Sequence, residues 1–101
     1  MALFNKRKRD KYDIYHDILK ACKSTVGGIN KTRLMYSANL TFEVANKYLP
    51  LLEKSGLIAR KDNLYFITKK GEEVLQKLTK FKEIKGEMKE IIEKLKEELP
   101  P

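Results

Sequence analysis

A chain of 101 residues with 42% hydrophobic content can build one modest core, which excludes an enzyme with a deep pocket and supporting layers. No apolar run approaches the roughly 18–20 residues of a membrane span, and the opening MALFNKRKRDKYD lacks the apolar stretch of a signal peptide. The single cysteine, Cys22, can form no internal disulfide and reads as a small buried apolar residue of a reducing compartment.

The formal net charge of +8 is unevenly placed. Residues 1–80 hold 17 Lys+Arg against 8 Asp+Glu, whereas residues 81–101 hold 5 lysines against 6 glutamates. A basic head on a near-neutral tail repels itself unless a polyanion meets it. Residues 1–11 carry Lys6, Arg7, Lys8, Arg9 and Lys11 with no apolar periodicity, and read as a flexible basic arm.

Asp10 or Asp13 opens a first helix that runs to about Cys22. Ile14, Ile18, Leu19 and Cys22 lie on one face, and Lys20 and Lys23 suit its C-terminal dipole. Gly27-Gly28 breaks the chain. Asn30 caps a short second helix, about Lys31 to Ser37, with Leu34 and Met35 on its apolar side. A tight Ala38-Asn39-Leu40 connection leads to Thr41, the cap of a third helix whose apolar face is Val44, Tyr48, Leu51 and Leu52. It stops at Ser55-Gly56, and Pro50 inside it predicts a kink or a shortened helix. Leu57–Arg60 and Leu64–Ile67 are short strands around Lys61-Asp62-Asn63, which makes a β-hairpin with a polar tip. Three helices and a hairpin in this order, within about 60 residues, form the winged helix-turn-helix plan, an α+β but mostly α head.

Thr68 caps a last helix that runs to Leu99. Val74, Phe81, Met88 and Leu95 recur every seven residues, joined by Ile84 and Ile91 and edged by Leu78, Ile92 and Leu99. This stripe predicts coiled-coil pairing of two chains through Phe81, Ile84, Met88, Ile91, Ile92, Leu95 and Leu99. From about Phe81 the helix has no head left to cover it; the alternative is that it folds back onto the first helix. Gly86, Lys77 and Glu98 dilute the stripe. The expected organisation is a basic arm over 1–11, a winged-helix domain over 12–72 and a dimerisation helix over 73–101.

Catalysis needs converging groups, and none are visible. The only histidine, His16, lies six residues from the only cysteine, about 600° of helical turn away. No zinc spacing, phosphate loop or nucleophile–base set is present, so neither metal nor cofactor nor small-molecule ligand is expected. Binding double-stranded DNA needs only what is here. Lys31, Thr32 and Arg33 meet free amides at a helix N-terminus, a phosphate clamp. Thr41, Phe42, Glu43, Asn46 and Lys47 face outward near the start of the third helix, where base edges are read. Asn46 suits adenine and Phe42 a thymine methyl or the head's own surface; Glu43 reads cytosine or lies outside the contact. Arg60, Lys61 and Asn63 place the hairpin beside the backbone or in the minor groove.

KACKSTVGGINKTRLMYSANLTFEVANKYLPLLEKSGLI followed by NLYFITKKGEEVLQKL resembles the archaeal 10a-type small DNA-binding proteins, over about residues 12–98 and most specifically at Lys31–Leu40 and Thr68–Gly71. The resemblance implies a winged-helix head and an antiparallel coiled-coil homodimer with its two heads apart. It also implies that Thr32, Arg33 and Tyr36 face DNA with the start of the third helix. The arm at Lys6–Arg9 and Pro50 depart from that pattern. Three functions follow: a chromatin-type DNA binder of weak sequence preference, cytoplasmic and nucleoid-associated; a sequence-specific transcriptional regulator; and, from another class, a winged-helix module for protein–protein contact.

Overall fold

The computed structural model describes residues 9–101, so Lys6, Arg7 and Lys8 of the expected arm lie outside the described residues. The elements run α1 (Lys11–Lys23), β1 (Ile29–Asn30), α2 (Lys31–Ala38), α3 (Phe42–Lys54), β2 (Ile58–Lys61), β3 (Leu64–Ile67) and α4 (Lys69–Glu98). The three strands form one antiparallel sheet in the order β1-β3-β2.

Each helix starts on a side-chain cap that satisfies an otherwise orphaned amide. Asp10 and Asp13 form a reciprocal capping box on α1, with bonds of 2.9 and 3.2 Å. Asn30, Thr41 and Thr68 accept from the amides of Arg33, Val44 and Gly71 at the starts of α2, α3 and α4. The ends are equally defined. Asn39 takes a left-handed conformation after α2 while the Leu40 amide reaches back to Met35 O. Gly56 does the same after α3, with Leu57 N bonded to Leu52 O and Gly56 N to Glu53 O.

The core lies between α1, α2, α3, the inner face of the sheet and the first turns of α4. Ile18, Leu19, Leu34, Leu49 and Ile58 are its largest fully buried side chains. Three details differ from the sequence reading. The apolar face of α3 is Ala45, Leu49 and Leu52, with Val44 and Tyr48 half-buried and Leu51 46% exposed. The face turns toward Ala45, which is fully buried in the core. Second, α3 is not shortened at Pro50. The proline sits on the exposed side, where Asn46 O loses the donor that residue 50 would supply, while Leu49 and Leu52 hold the flanking turns in the core. Third, Lys61 belongs to β2 and pairs with Leu64, leaving a two-residue turn, Asp62-Asn63, with Asp62 at φ 58°.

A 30-residue helix is about 45 Å long, and α4 stretches the molecule to 58 × 29 × 21 Å. Its start closes the head: Leu75 is buried, Val74 and Leu78 half-buried, and Gly71 sits directly against the Leu57 carbonyl. α1 lies antiparallel along it. Lys23–Glu72 joins one end at 3.5 Å, Lys82–Asp13 and Lys85–Asp10 the other at 3.9 and 3.2 Å, and Tyr12 meets Phe81 edge-on at 5.5 Å. The head therefore covers α4 about one turn beyond the boundary that Phe81 marks in the sequence. Beyond Lys85 none of the described residues covers the apolar stripe. Met88 and Ile91 are 56% and 58% exposed, and Ile84, Ile92, Leu95 and Leu99 are exposed as well.

Arg9 departs most from its reading as part of a free arm. Its guanidinium bonds to the Asp17 carboxylate and to Ala38 O, both at 2.8 Å, and to Asn39 O. It thus ties α1 to the end of α2, where helix carbonyls have no internal donor and the dipole favours a cation. Asp17 also bonds to His16 Nδ1 at 3.0 Å. His16 and Cys22 are both buried, and burial pushes the Cys22 thiol up to about 12, which leaves it unreactive.

Candidate nucleic-acid interface

The interface begins at β1, an element too short to show any periodicity. Ile29 pairs with Tyr65 and Asn30 with Leu64, and the very next residue opens α2. This pairing places the N-terminus of α2 against the hairpin. An open groove between them is lined by Asn30, Lys31, Thr32, Arg33, Arg60, Asn63 and Tyr65. Arg60 and Tyr65 are cross-strand partners, and the Arg60 guanidinium reaches the Tyr65 hydroxyl at 3.5 Å, 6.0 Å from the ring. The tyrosine hydroxyl raises the Arg60 pKa and keeps that side chain firmly cationic. Tyr65 is a site residue that the sequence reading missed; the two-residue turn, once fixed, would have paired it with Arg60.

The exposed side of α2 is Thr32, Arg33, Tyr36 and Ser37, with Tyr36 91% exposed. The exposed side of α3 is Phe42, Glu43, Asn46, Lys47, Pro50, Leu51 and Lys54. The two stripes are joined by one side chain. The Lys31 ammonium bonds to the Asn46 amide oxygen and lies 4.6 Å from the centroid of Phe42. Phe42 is 62% exposed, with Lys31 resting on its ring. Thr41 spends its oxygen on the Val44 amide, so its hydroxyl proton is what it offers outward. Lys47 leans over Tyr48, 5.4 Å from the ring, and Tyr48 in turn packs edge-on against Tyr15 of α1. Lys61 stands exposed next to the turn.

Of the eleven residues named from sequence for DNA contact, Lys31, Thr32, Arg33, Arg60 and Asn63 share one groove. Phe42 and Asn46 join it through Lys31. Tyr36, Thr41, Lys47 and Lys61 are exposed but sit in no contact with that cluster among the described interactions. Three of the groove's seven residues, Lys31, Thr32 and Arg33, bring cations and a hydroxyl to a helix start and Arg60 adds a cation from β2, the chemistry that receives a phosphate. Among the described residues no set of His, Cys, Asp or Glu side chains is placed to hold a metal ion, and no helix is long and apolar enough to cross a membrane.

Comparison with known proteins agrees with this fold. A family model described as winged helix-turn-helix matches residues 8–86. The crystal structure of Sso10a-2, a DNA-binding protein from Sulfolobus solfataricus, superposes with a TM-score of 0.83 at 31% identity, over 92% of this chain and 99% of that one. The uncharacterized protein MJ0290 of Methanocaldococcus jannaschii is 39% identical over 71 residues, which is 70% of this chain but only 33% of that protein. A second protein of the same archaeon, MJ0287, is 32% identical over 77 residues, 76% of this chain and 77% of its own.

Proposed function

Because the chain belongs to the winged helix-turn-helix family, we propose that its basic face binds double-stranded DNA, and that two copies do so together as a homodimer of chromatin type. Residues 12–72 act as the reading head. Residues 73–101 act as the pairing helix, whose first turns also close the head. The observation that carries this reading is the convergence of Lys31, Arg33 and Arg60 on one groove beside the exposed stripe of α3. In this reading α3 lies in the major groove, the start of α2 holds a phosphate and the hairpin lies along the backbone. That Sso10a-2 is a DNA-binding protein supports it.

The pairing is inferred from α4. An apolar stripe of six exposed side chains on the free half of a helix is stable in water when another chain covers it. Charge favours the antiparallel arrangement. On the heptad that Val74 starts, an antiparallel pair sets Glu87 against Lys94 of the second copy, whereas a parallel pair would leave both facing apolar residues, Ile92 and Leu99. The heads then lie at opposite ends of the rod, able to touch separate duplexes or distant parts of one. The protein would work in the cytoplasm, on the nucleoid.

Affinity measured against salt tests the reading. Arg33, Lys47, Arg60 and Lys61 supply about four phosphate contacts per head, so log K should fall with log salt at a slope near −3.6 per head. Selected duplexes should be favoured over random ones by no more than about tenfold per head, far below the preference of a sequence-specific regulator. Arg33→Ala and Lys47→Ala should each reduce the slope by about 1 without changing oligomer size. A salt-independent affinity, or one tight footprint at a palindrome, would contradict the chromatin-type reading.

A further inference from the structure

The Lys31–Asn46 contact limits what the start of α3 can read. An ammonium has donors only, so the Asn46 carboxamide must turn its oxygen toward Lys31, as it does. Its Nδ2, with both N–H groups, is left to the exposed side of α3. The ammonium is itself fixed, 4.6 Å from the Phe42 ring, so a cation stands where the amide's acceptor would meet a base. An unrestrained asparagine offers an acceptor and a donor side by side, which matches the N6–H and N7 edge of adenine. Here the acceptor is taken and a positive charge lies beside it, which disfavours an amino group approaching. What remains are two neighbouring donors, Asn46 Nδ2–H and a free N–H of Lys31. Guanine is the base whose major-groove edge carries two neighbouring acceptors, N7 and O6.

We propose that Lys31 and Asn46 form a single donor-only reading head that selects guanine, with Lys31, held by Phe42, as the residue that sets the specificity of Asn46. This rests on α3 lying in the major groove of duplex DNA. It adds one preferred base per head to a grip that is otherwise indifferent to sequence. Asparagine alone at the start of a recognition helix suggests adenine; the tertiary contact reverses the expectation.

The test is selection from a pool of duplexes with randomised positions, using the full chain and three forms of it: unaltered, Lys31→Met and Asn46→Ala. Methionine keeps an unbranched stem beside Phe42 and removes the ammonium. The unaltered protein should enrich guanine at one position per head, with about tenfold tighter binding than to the duplex carrying adenine there. Lys31→Met should shift the enrichment to adenine, and Asn46→Ala should abolish it at that position. Lys31→Met with the unaltered base profile, or Asn46→Ala indistinguishable from the unaltered protein, overturns the proposal while leaving DNA binding intact. Retention of no duplex by any of the three removes the DNA-binding reading itself and this proposal with it.

Discussion

Replacing Gly71 by alanine should destabilise the head, although alanine is the better helix former by about 0.8–1.0 kcal/mol. A Cβ at this position would lie 2.1 Å from Leu57 O and 2.8 Å from Ile67 Cγ1. The oxygen cannot yield freely, because it accepts from both the amide and the hydroxyl of Thr68, each at 3.1 Å. Forcing the extra methyl in costs about 1–3 kcal/mol. Weakening one of the Leu57 bonds adds about 1 kcal/mol. After the helix-propensity gain the net loss is about 1–3 kcal/mol, which lowers the melting temperature by about 10 °C in a domain of this size. Gly86 supplies the control on the same helix. Nothing lies within 4 Å of where its Cβ would be, so alanine there should stabilise by about 1 kcal/mol. Thermal unfolding followed by circular dichroism, at one fixed protein concentration because association shifts apparent stability, reads both. The reasoning is refuted if the two substitutions move the midpoint in the same direction.

Arg9→Ala removes an ion pair and two carbonyl bonds, so in the absence of DNA it should lower stability by about 1–2 kcal/mol after allowance for solvent screening. Urea unfolding checks this, and an unchanged midpoint would return Arg9 to a free cation. Burial pushes the Asp17 carboxyl up, but bonds from His16 and Arg9 and the charge of Lys82 outweigh it and hold the group below the usual carboxylate range. A depressed folded-state pKa contributes stability above the unfolded value and loses it as pH falls through the folded one. Asp17→Asn should therefore flatten the acid side of the stability profile, and an unaltered acid limb would count against the cluster. Met88→Lys places an ammonium in the uncovered stripe of α4 and should give monomers whose heads melt as before. Sedimentation equilibrium reads the mass, and a persistent dimer would move the interface elsewhere.

Helix starts were legible in the sequence because Asp10, Asn30, Thr41 and Thr68 act locally, each on an amide three residues away. The uncovered stripe of α4 was legible because a helix that outruns its head keeps its periodicity unmixed with other packing. What escaped depends on tertiary neighbours. β1 is two residues long and exists through its pairing with β3. Arg9 reads as one more cation in a basic run until the end of α2 is brought beside it. The buried face of α3 was misplaced because hydrophobicity weights the large Leu51, whereas close packing selects the small Ala45. Leu75 was passed over because its neighbour Val74 keeps the seven-residue spacing of Phe81, Met88 and Leu95, while the head buries the adjoining side of α4. The candidate interface could be read as a set of residues, since exposed cations at helix starts need no partner to be recognised. The bond from Lys31 to Asn46 could not, since it is fixed by the angle at which α2 meets α3.

The amide resonances of the isotope-labelled protein, followed as a short random-sequence duplex is added, test the central claim most directly. Shifts concentrated at residues 31–36, 41–47 and 60–65, with residues 86–99 unmoved, are the predicted result. Shifts confined to α4, or a head whose spectrum ignores the duplex at low salt, would contradict it.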